Sequence, residues 1–276
     1  MSTMQLIAKE KILLLDLLRT GYPDSSKTYL RGLVQAGRVD IEGKVAARSD
    51  IWVEPGQSVQ IGKRPKVVHE TVKILHEDRD LVVIDKPEGL LSVATDFDLE
   101  RSAHSLLKRR FHRPRIYPVH RLDRETSGLL VFAYNERARQ GLKEQFEEHT
   151  IEREYRALVH GKLTEKKGTF RSYLREDAHY FVHSEEKSSK EGKLAITHYE
   201  LIEYREEMTL VRLKLETGRK NQIRVHLSEA GFPIVGDTKY GKPEDESPRL
   251  YLHALKLGFV HPVTKKTLLF YSPSAF

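Results

Sequence analysis

Pro118-Val119-His120-Arg121-Leu122-Asp123-Arg124-Glu125-Thr126-Ser127-Gly128-Leu129-Leu130-Val131-Phe132-Ala133 changes character at Gly128. From there the run is apolar and rich in branched side chains, which reads as a buried central strand; the charged residues before it belong at that strand's mouth. A carboxylate, Asp123, is therefore held between two arginines at the edge of a core. Thr126-Ser127-Gly128 supplies the turn chemistry that leads from loop into strand. On spacing alone, a turn residue satisfied by neighbouring N–H groups is the simpler account of Asp123.

Upstream of this stretch, residues 72–76 read as a strand, and Asp80 to Leu90 as a buried strand closed by a proline-stiffened turn. Lys86 lies at the end of that strand and faces either a cleft or solvent. Residues 93–99 lack periodicity and read as a loop. Lys108, Arg109, Arg110, His112, Arg113 and Arg115 crowd a turn-rich segment, 101–115, just before the key strand. A solvated face and a phosphate-recognising patch both fit them.

Downstream, Arg137 to His149 reads as a helix with Ala138, Leu142 and Phe146 on one side. Arg153 to Gly161 alternates like a half-buried strand, which puts Tyr155, Ala157 and Val159 on one face. Residues 184–193 form a polar loop with no evident chemistry, and Ile196–Tyr204 pairs with Met208–Leu215 as a hairpin. Next, a strand ends at Thr217-Gly218, a helix starts near Lys220 and Gly231 terminates it. Ile223 and Leu227 lie one turn apart on that helix with Arg224 beside them. Leu250–Phe259 and Thr267–Tyr271 read as two strands at an edge of the sheet.

Residues His120 to Ala133 resemble, without a gap, the HRLDxxTSGLLxxA signature of the RluA-type pseudouridine synthases. Three further segments resemble motifs of that family. Asp85-Lys86-Pro87-Glu88-Gly89 is similar to its first motif, with Asp85 where asparagine is common. Arg153-Glu154-Tyr155-Arg156-Ala157-Leu158-Val159-His160-Gly161 is similar to KxYxAxVxG, with Arg153 at the lysine position. Thr217 to Leu227 is similar to TGRxHQIRxHL and is followed by Gly236-Asp237-x-x-Tyr240-Gly241.

The resemblance implies an α+β pseudouridine synthase fold, a mixed, mostly antiparallel sheet with flanking helices around a central cleft. It makes Asp123 the catalytic residue, Arg224 its partner and Tyr155 the shelf on which the target base stacks. Leu227 is expected to line the base pocket, Arg121 to fill the space the base vacates and Lys86 to approach the substrate. Asn221 stands where the family usually has histidine, which puts in question a base or phosphate contact there but not the catalytic centre.

Nearer the start, Leu6–Arg19 reads as a helix stopped by Gly21-Tyr22-Pro23-Asp24, and residues 26–36 as a second helix. Short strands follow at Val39–Ile41, residues 45–47, Trp52-Val53 and Val59–Ile61. The segment of about residues 5–62 resembles the S4 RNA-binding domain. Its cations Lys27, Arg31, Arg38, Lys44 and Arg48 are then expected on RNA phosphates, joined by Arg109, Arg110 and Arg113 of the larger unit. A solvated face is the alternative for any one of them. The expected organisation is an S4-like domain at 1–62, a linker at 63–71 that opens with Lys63-Arg64-Pro65-Lys66, and a catalytic domain at 72–276.

The chain has 276 residues, enough for a core without covalent staples, and no cysteine, which rules out disulfides, thiolate metal sites and a cysteine nucleophile. Lys plus Arg number 47 against 40 Asp plus Glu, a net charge of +7 that suits a polyanionic partner if it is clustered. Neither a membrane span nor a secretory signal is legible near the start. A monomeric cytoplasmic enzyme is expected, acting on RNA, with large-subunit ribosomal RNA ahead of transfer RNA. Isomerising uridine adds and removes no atoms, so no cofactor is expected; thirteen histidines without ligand spacing suggest no metal. Asp123 either attacks ribose carbon 1′ or assists departure of the uracil as a glycal. The main alternative is a noncatalytic RNA-binding or ribosome-assembly factor on the same fold. A carboxylate-based hydrolase is disfavoured because no second acid occupies a matched motif.

Overall fold

The computed structural model describes residues 4–35, 38–46, 48–62, 72–94, 102–112, 115–185, 191–274 and 276. The expected linker at 63–71 and Arg113 lie outside them. The described residues fall into two compact units, one within 1–68 and one within 69–276.

The smaller unit comprises strands β1 (Met4–Ile7) and β2 (Ile12–Leu13), helices α1 (Leu14–Gly21) and α2 (Lys27–Gln35), and strands β3 (Val39–Ile41), β4 (Lys44–Val45), β5 (Trp52–Val53) and β6 (Ser58–Ile61). Four strands form a sheet in the order β1-β6-β3-β4, and β2 pairs with β5. Leu14, Leu17 and Leu18 of α1 and Leu30, Leu33 and Val34 of α2 are buried against Val39, Val53 and Val59. The helix expected from Leu6 starts only at Leu14. Met4 and Leu6 alternate with exposed Gln5 and Ile7 and pair antiparallel with β6, and Lys9-Glu10-Lys11 then interrupts the apolar face.

The larger unit runs β7 (Lys73–Glu77), β8 (Leu81–Lys86), α3 (Ala103–Phe111), β9 (Tyr117–Pro118), β10 (Ser127–Ala133), α4 (Glu136–Glu147), β11 (Glu152–His160), β12 (Lys167–Glu176), β13 (Val182–Glu185), β14 (Lys193–Arg205), β15 (Met208–Leu215), α5 (Gln222–Glu229), β16 (Leu252–Val260) and β17 (Thr267–Tyr271). Its sheet has the order β13-β12-β14-β15-β11-β16-β10-β8-β7, with β17 on β16 and β9 on β10. The β10–β16 pairing is parallel, and the other strand pairings of this sheet are antiparallel among the described residues. This is the mixed, mostly antiparallel sheet that the resemblance implies.

All seven residues of β10 are buried, as its apolar run requires. Alternation divides them between two cores: Leu129, Val131 and Ala133 pack with Ala138 and Leu142 of α4, whereas Leu130 and Phe132 join Tyr155, Ile223 and Leu227. Each such side chain contributes roughly 1.5–3 kcal/mol on burial. Gly128 permits the parallel contact, because a Cβ there would lie 2.3 Å from the Ala254 carbonyl oxygen, and its φ is +111°.

Two expectations change. Residues 103–111, read as turn-rich, are helix α3, capped by Ser102 Oγ accepting from the Ser105 N–H and closed by His112 in the left-handed region. Strand β16 is central, flanked by β11 and β10, rather than at an edge; its residues are buried on both faces. Strand β12, largely exposed or half-buried, carries too few apolar residues to show a period of two.

Candidate active site

The backbone on either side of Asp123 is clamped from a neighbouring turn. Ser92 Oγ donates to the Leu122 carbonyl (2.8 Å) and accepts from its N–H (3.0 Å). Lys86 Nζ donates to the carbonyls of Arg124 (3.1 Å), Leu90 (2.8 Å) and Pro87 (2.9 Å). Arg124 Nε donates back to the Gly89 carbonyl at 3.2 Å. The loop is thus fixed by groups other than the Asp123 side chain, which is 24% exposed and turned toward helix α5. A turn residue satisfied by its neighbours, the simpler account from spacing, does not describe it.

Arg224, 4% exposed in the first turns of α5, points its Nη1 at Asp123 Oδ2 (3.7 Å) and Glu125 Oε2 (3.6 Å). Its Nε and Nη2 are committed to a bidentate pair with Asp237 at 2.8 and 2.7 Å. Burial works against the guanidinium charge, but the hydrogen bonds and charge of Asp237, together with Asp123 and Glu125, outweigh it and raise its pKa. Asp237 is also desolvated, and Arg224 with the N–H groups of Tyr240 and Lys239 holds its carboxyl below the usual range. A fixed positive charge therefore faces the Asp123 carboxylate.

Asn221 caps the start of α5 in the left-handed region, with φ 54°. Its amide is oriented by its neighbours: Nδ2 donates to Asp123 Oδ2 (2.8 Å) and Oδ1 (3.2 Å), while Oδ1 accepts from the Tyr240 hydroxyl (3.1 Å). The opposite orientation would set an amide oxygen against two carboxylate oxygens. Asn221, which stands where the family usually has histidine, therefore touches the Asp123 carboxylate, where only a base or phosphate contact was put in question. Gln222 ties the same turn to the sheet, accepting from Thr217 Oγ1 (2.8 Å) and the Arg219 N–H (2.9 Å) and donating to the Ile196 carbonyl and Thr197 Oγ1.

Tyr155, on β11, lines the same cleft as Asp123, Arg121, Ile223, Leu215 and Leu252, a space of about 390 Å³. Burial raises its pKa, keeping it a neutral phenol. A wider groove of about 1180 Å³ shares Arg121, Tyr155 and Arg219 and continues past Lys143, Phe146 and Arg153. His120 lines it too, but Nε2 accepts the Val131 N–H at 3.1 Å, and burial pushes its pKa down to about 3. This histidine is a neutral brace between loop and strand.

Asp123, Arg224, Tyr155 and Arg121 thus come together. Leu227 does not join them: it is fully buried in the core, and Ile223, one turn nearer the start of α5, takes the cleft wall. Lys86 is also fully buried, with its three donors on carbonyls, so it positions the loop and neither approaches substrate nor faces solvent. Burial pushes its pKa down to about 7, against the pull of Glu125, Asp123 and Glu88.

Among the expected RNA contacts, Arg109 and Arg110 are exposed on the last turn of α3. In the smaller unit Lys27 and Lys44 are exposed and Arg31 is half-buried. Arg38 donates to the Gly62 carbonyl at 3.2 Å, and Arg48 is paired twice with Asp50. Spacing also missed a cluster of Asp78, Asp80 and His261, whose ligating atoms lie within 4.8 Å of one another. His261 Nδ1 accepts the N–H groups of Val263 and Thr264 and Nε2 meets Asp78, which makes the ring the cap of a turn.

A family model described as RNA pseudouridylate synthase matches residues 80–229. The chain is 41% identical over 208 residues to the dual-specificity RNA pseudouridine synthase RluA of Pasteurella multocida, covering 74% of this chain and 93% of that protein. It is 33% identical over 272 residues to the ribosomal large subunit pseudouridine synthase D of Nitrosomonas europaea, covering 91% and 78%. The solved structure of human RNA pseudouridylate synthase domain containing 1 superposes with a TM-score of 0.64 at 28% identity, over 75% of this chain and 85% of that one.

Proposed function

The chain belongs to the RNA pseudouridylate synthase family, and from that premise we propose that it isomerises uridine in large-subunit ribosomal RNA, with Asp123 as its catalytic carboxylate. The observation that carries the site assignment is the convergence of Asp123, Arg224 and Tyr155 on one cleft. The rRNA reading is supported by the name of the Nitrosomonas relative, and the dual specificity of the Pasteurella relative makes transfer RNA the second substrate to test.

In this reaction the bond from ribose carbon 1′ to ring nitrogen 1 breaks, the uracil turns, and carbon 5 joins carbon 1′. The proton lost from carbon 5 is balanced by one gained at nitrogen 1. The target base first leaves its stack, which costs a few kcal/mol, and stacking on Tyr155 returns roughly 1–3 kcal/mol. Arg121, exposed beside the carboxylate, takes the vacated space. Asp123 assists cleavage of the glycosidic bond with its charge balanced by Arg224, whose orientation Asp237 fixes. The wider groove, with Lys143, Arg153 and Arg219, carries the flanking backbone. The smaller unit acts as an S4-like module that adds sequence-independent phosphate contacts.

Replacing Asp123 by Asn keeps the shape and removes the charge. D123N is expected to lose turnover on rRNA while its RNA affinity stays within about twofold, since a single uncharged isostere leaves the phosphate contacts in place. Retained turnover removes Asp123 from the mechanism. Mapping pseudouridines in RNA from cells with and without the gene identifies the substrate, and loss confined to transfer RNA overturns the rRNA assignment.

A further inference from the structure

We propose that Asn221 is the positioning residue for Asp123, holding the carboxylate toward the cleft through an uncharged amide that Tyr240 braces from behind. The inference rests on the reading of Asp123 as the catalytic acid. At 2.8 Å the amide nitrogen is a hydrogen-bond donor to Asp123, whereas the guanidinium at 3.7 Å supplies charge without a hydrogen bond. The other two nitrogens of that guanidinium, Nε and Nη2, are occupied by Asp237. Arg224 balances the charge of the carboxylate, and Asn221 fixes its direction.

The brace is continuous. The Val182 N–H donates to the Tyr240 hydroxyl oxygen at 3.1 Å, which directs the hydroxyl proton to Asn221 Oδ1 and so turns Nδ2 toward Asp123. The Tyr240 ring itself lies close to two cations, Arg224 (5.5 Å) and Lys239 (5.2 Å). The charged and titratable groups around the amide are Asp123 and Glu125 from the loop, Arg224 from its own helix, and Asp237, Lys239 and Tyr240 from the segment behind. A titrating side chain here would change charge among these groups with pH, and an amide does not.

The backbone selects the variant for the test. Asn221 has φ 54° and ψ 17°, a conformation asparagine and glycine tolerate and alanine resists. N221G therefore removes the amide without straining the helix cap. The experiment compares kcat and KM of the full-length parent, N221G, N221H, Y240F and the N221G/Y240F double variant on rRNA across about pH 5.5–8.5. Losing one charge-assisted hydrogen bond is expected to lower kcat of N221G about tenfold or more, with KM within about twofold. N221H keeps a donor but adds a group whose ordinary pKa is about 6.5, so its kcat profile gains an inflection that the parent lacks. Y240F is expected to slow the parent and to add no further loss to N221G.

A kcat for N221G within twofold of the parent overturns the proposal, as do an N221H profile matching the parent's or additive losses in the double variant. Crystal structures of the unliganded parent and N221G give a readout independent of turnover: the Asp123 carboxylate is expected to leave its orientation toward α5 in N221G, and an unchanged orientation overturns the clamp. A parent inactive on every RNA would remove the isomerase reading and leave that structural comparison to decide the clamp.

Discussion

Asp237 shows how one buried residue governs two properties. It takes two donors of Arg224, both partners being almost wholly buried, so D237N leaves a desolvated guanidinium short of its counter-charge. The expected cost is about 3–5 kcal/mol, read from urea denaturation, with a fall in kcat because Arg224 no longer faces Asp123 rigidly. The pH dependence has a definite sign. The Asp237 carboxyl is held below its ordinary value in the fold, so its contribution is complete above about pH 4 and is lost as pH falls through the folded value. The stability gap between parent and D237N should therefore narrow in acid; a gap that widens there contradicts the pairing. At this scale the convergence of Asp123, Arg224, Tyr155 and Arg121 on one cleft was legible, because each stands in a long motif. Asp237 also stood in a matched motif, and an acid amid apolar neighbours was the available signal that an arginine needed a partner. Leu227 was misplaced because helical spacing shares a face between Ile223 and Leu227 without saying which turn reaches the cleft.

Strands and loops set the position of Asp123 through contacts that no local pattern reveals. Lys86 closes β8 and pins the turn at 87–90 to the loop beyond Leu122 by its three carbonyl bonds. Methionine matches its volume but supplies no donor, so K86M strands three carbonyls at about 1–3 kcal/mol each, and thermal unfolding should register a loss of several kcal/mol. An unchanged midpoint would show that water replaces the ammonium. Gly128 makes a second demand: with a Cβ 2.3 Å from the Ala254 carbonyl oxygen and a positive φ, G128A should lose at least about 2–3 kcal/mol by separating β10 from β16. Strands such as β8, β10, β11 and β15 were legible because each shows either an unbroken apolar run or clean alternation. Strands β12 and β13 were not, since most of their residues are exposed or half-buried and the few buried ones, Leu174 and Val182, are too sparse to impose a period. Helix α3 was hidden by its own basic residues, although Ser102 and Ser105 at its start carry a capping signal.

For the molecule as a whole, the charge of +7 matters only where it is exposed. Lys27 and Lys44 are exposed, whereas Arg48 is half-buried beside Asp50. K27E and K44E should each weaken RNA binding at every sequence and reduce the salt slope of log K by about one, and R48E should do less; filter binding across a potassium chloride series measures this. An unaltered slope in K27E and K44E would argue against the smaller unit as a phosphate-binding surface. The order of strands in the larger sheet also bears on how the enzyme is made. β16 fills the place between β10 and β11, yet it is translated more than ninety residues after β11 ends. Until residue 260 has cleared the exit tunnel, the nascent chain presents two half-sheets whose inner edges are unpaired and sticky. Chaperone capture or aggregation should be high for a ribosome-stalled chain cut before β16 and fall sharply for one extended by a linker long enough to bring that strand out of the tunnel, and only then does a working cleft exist.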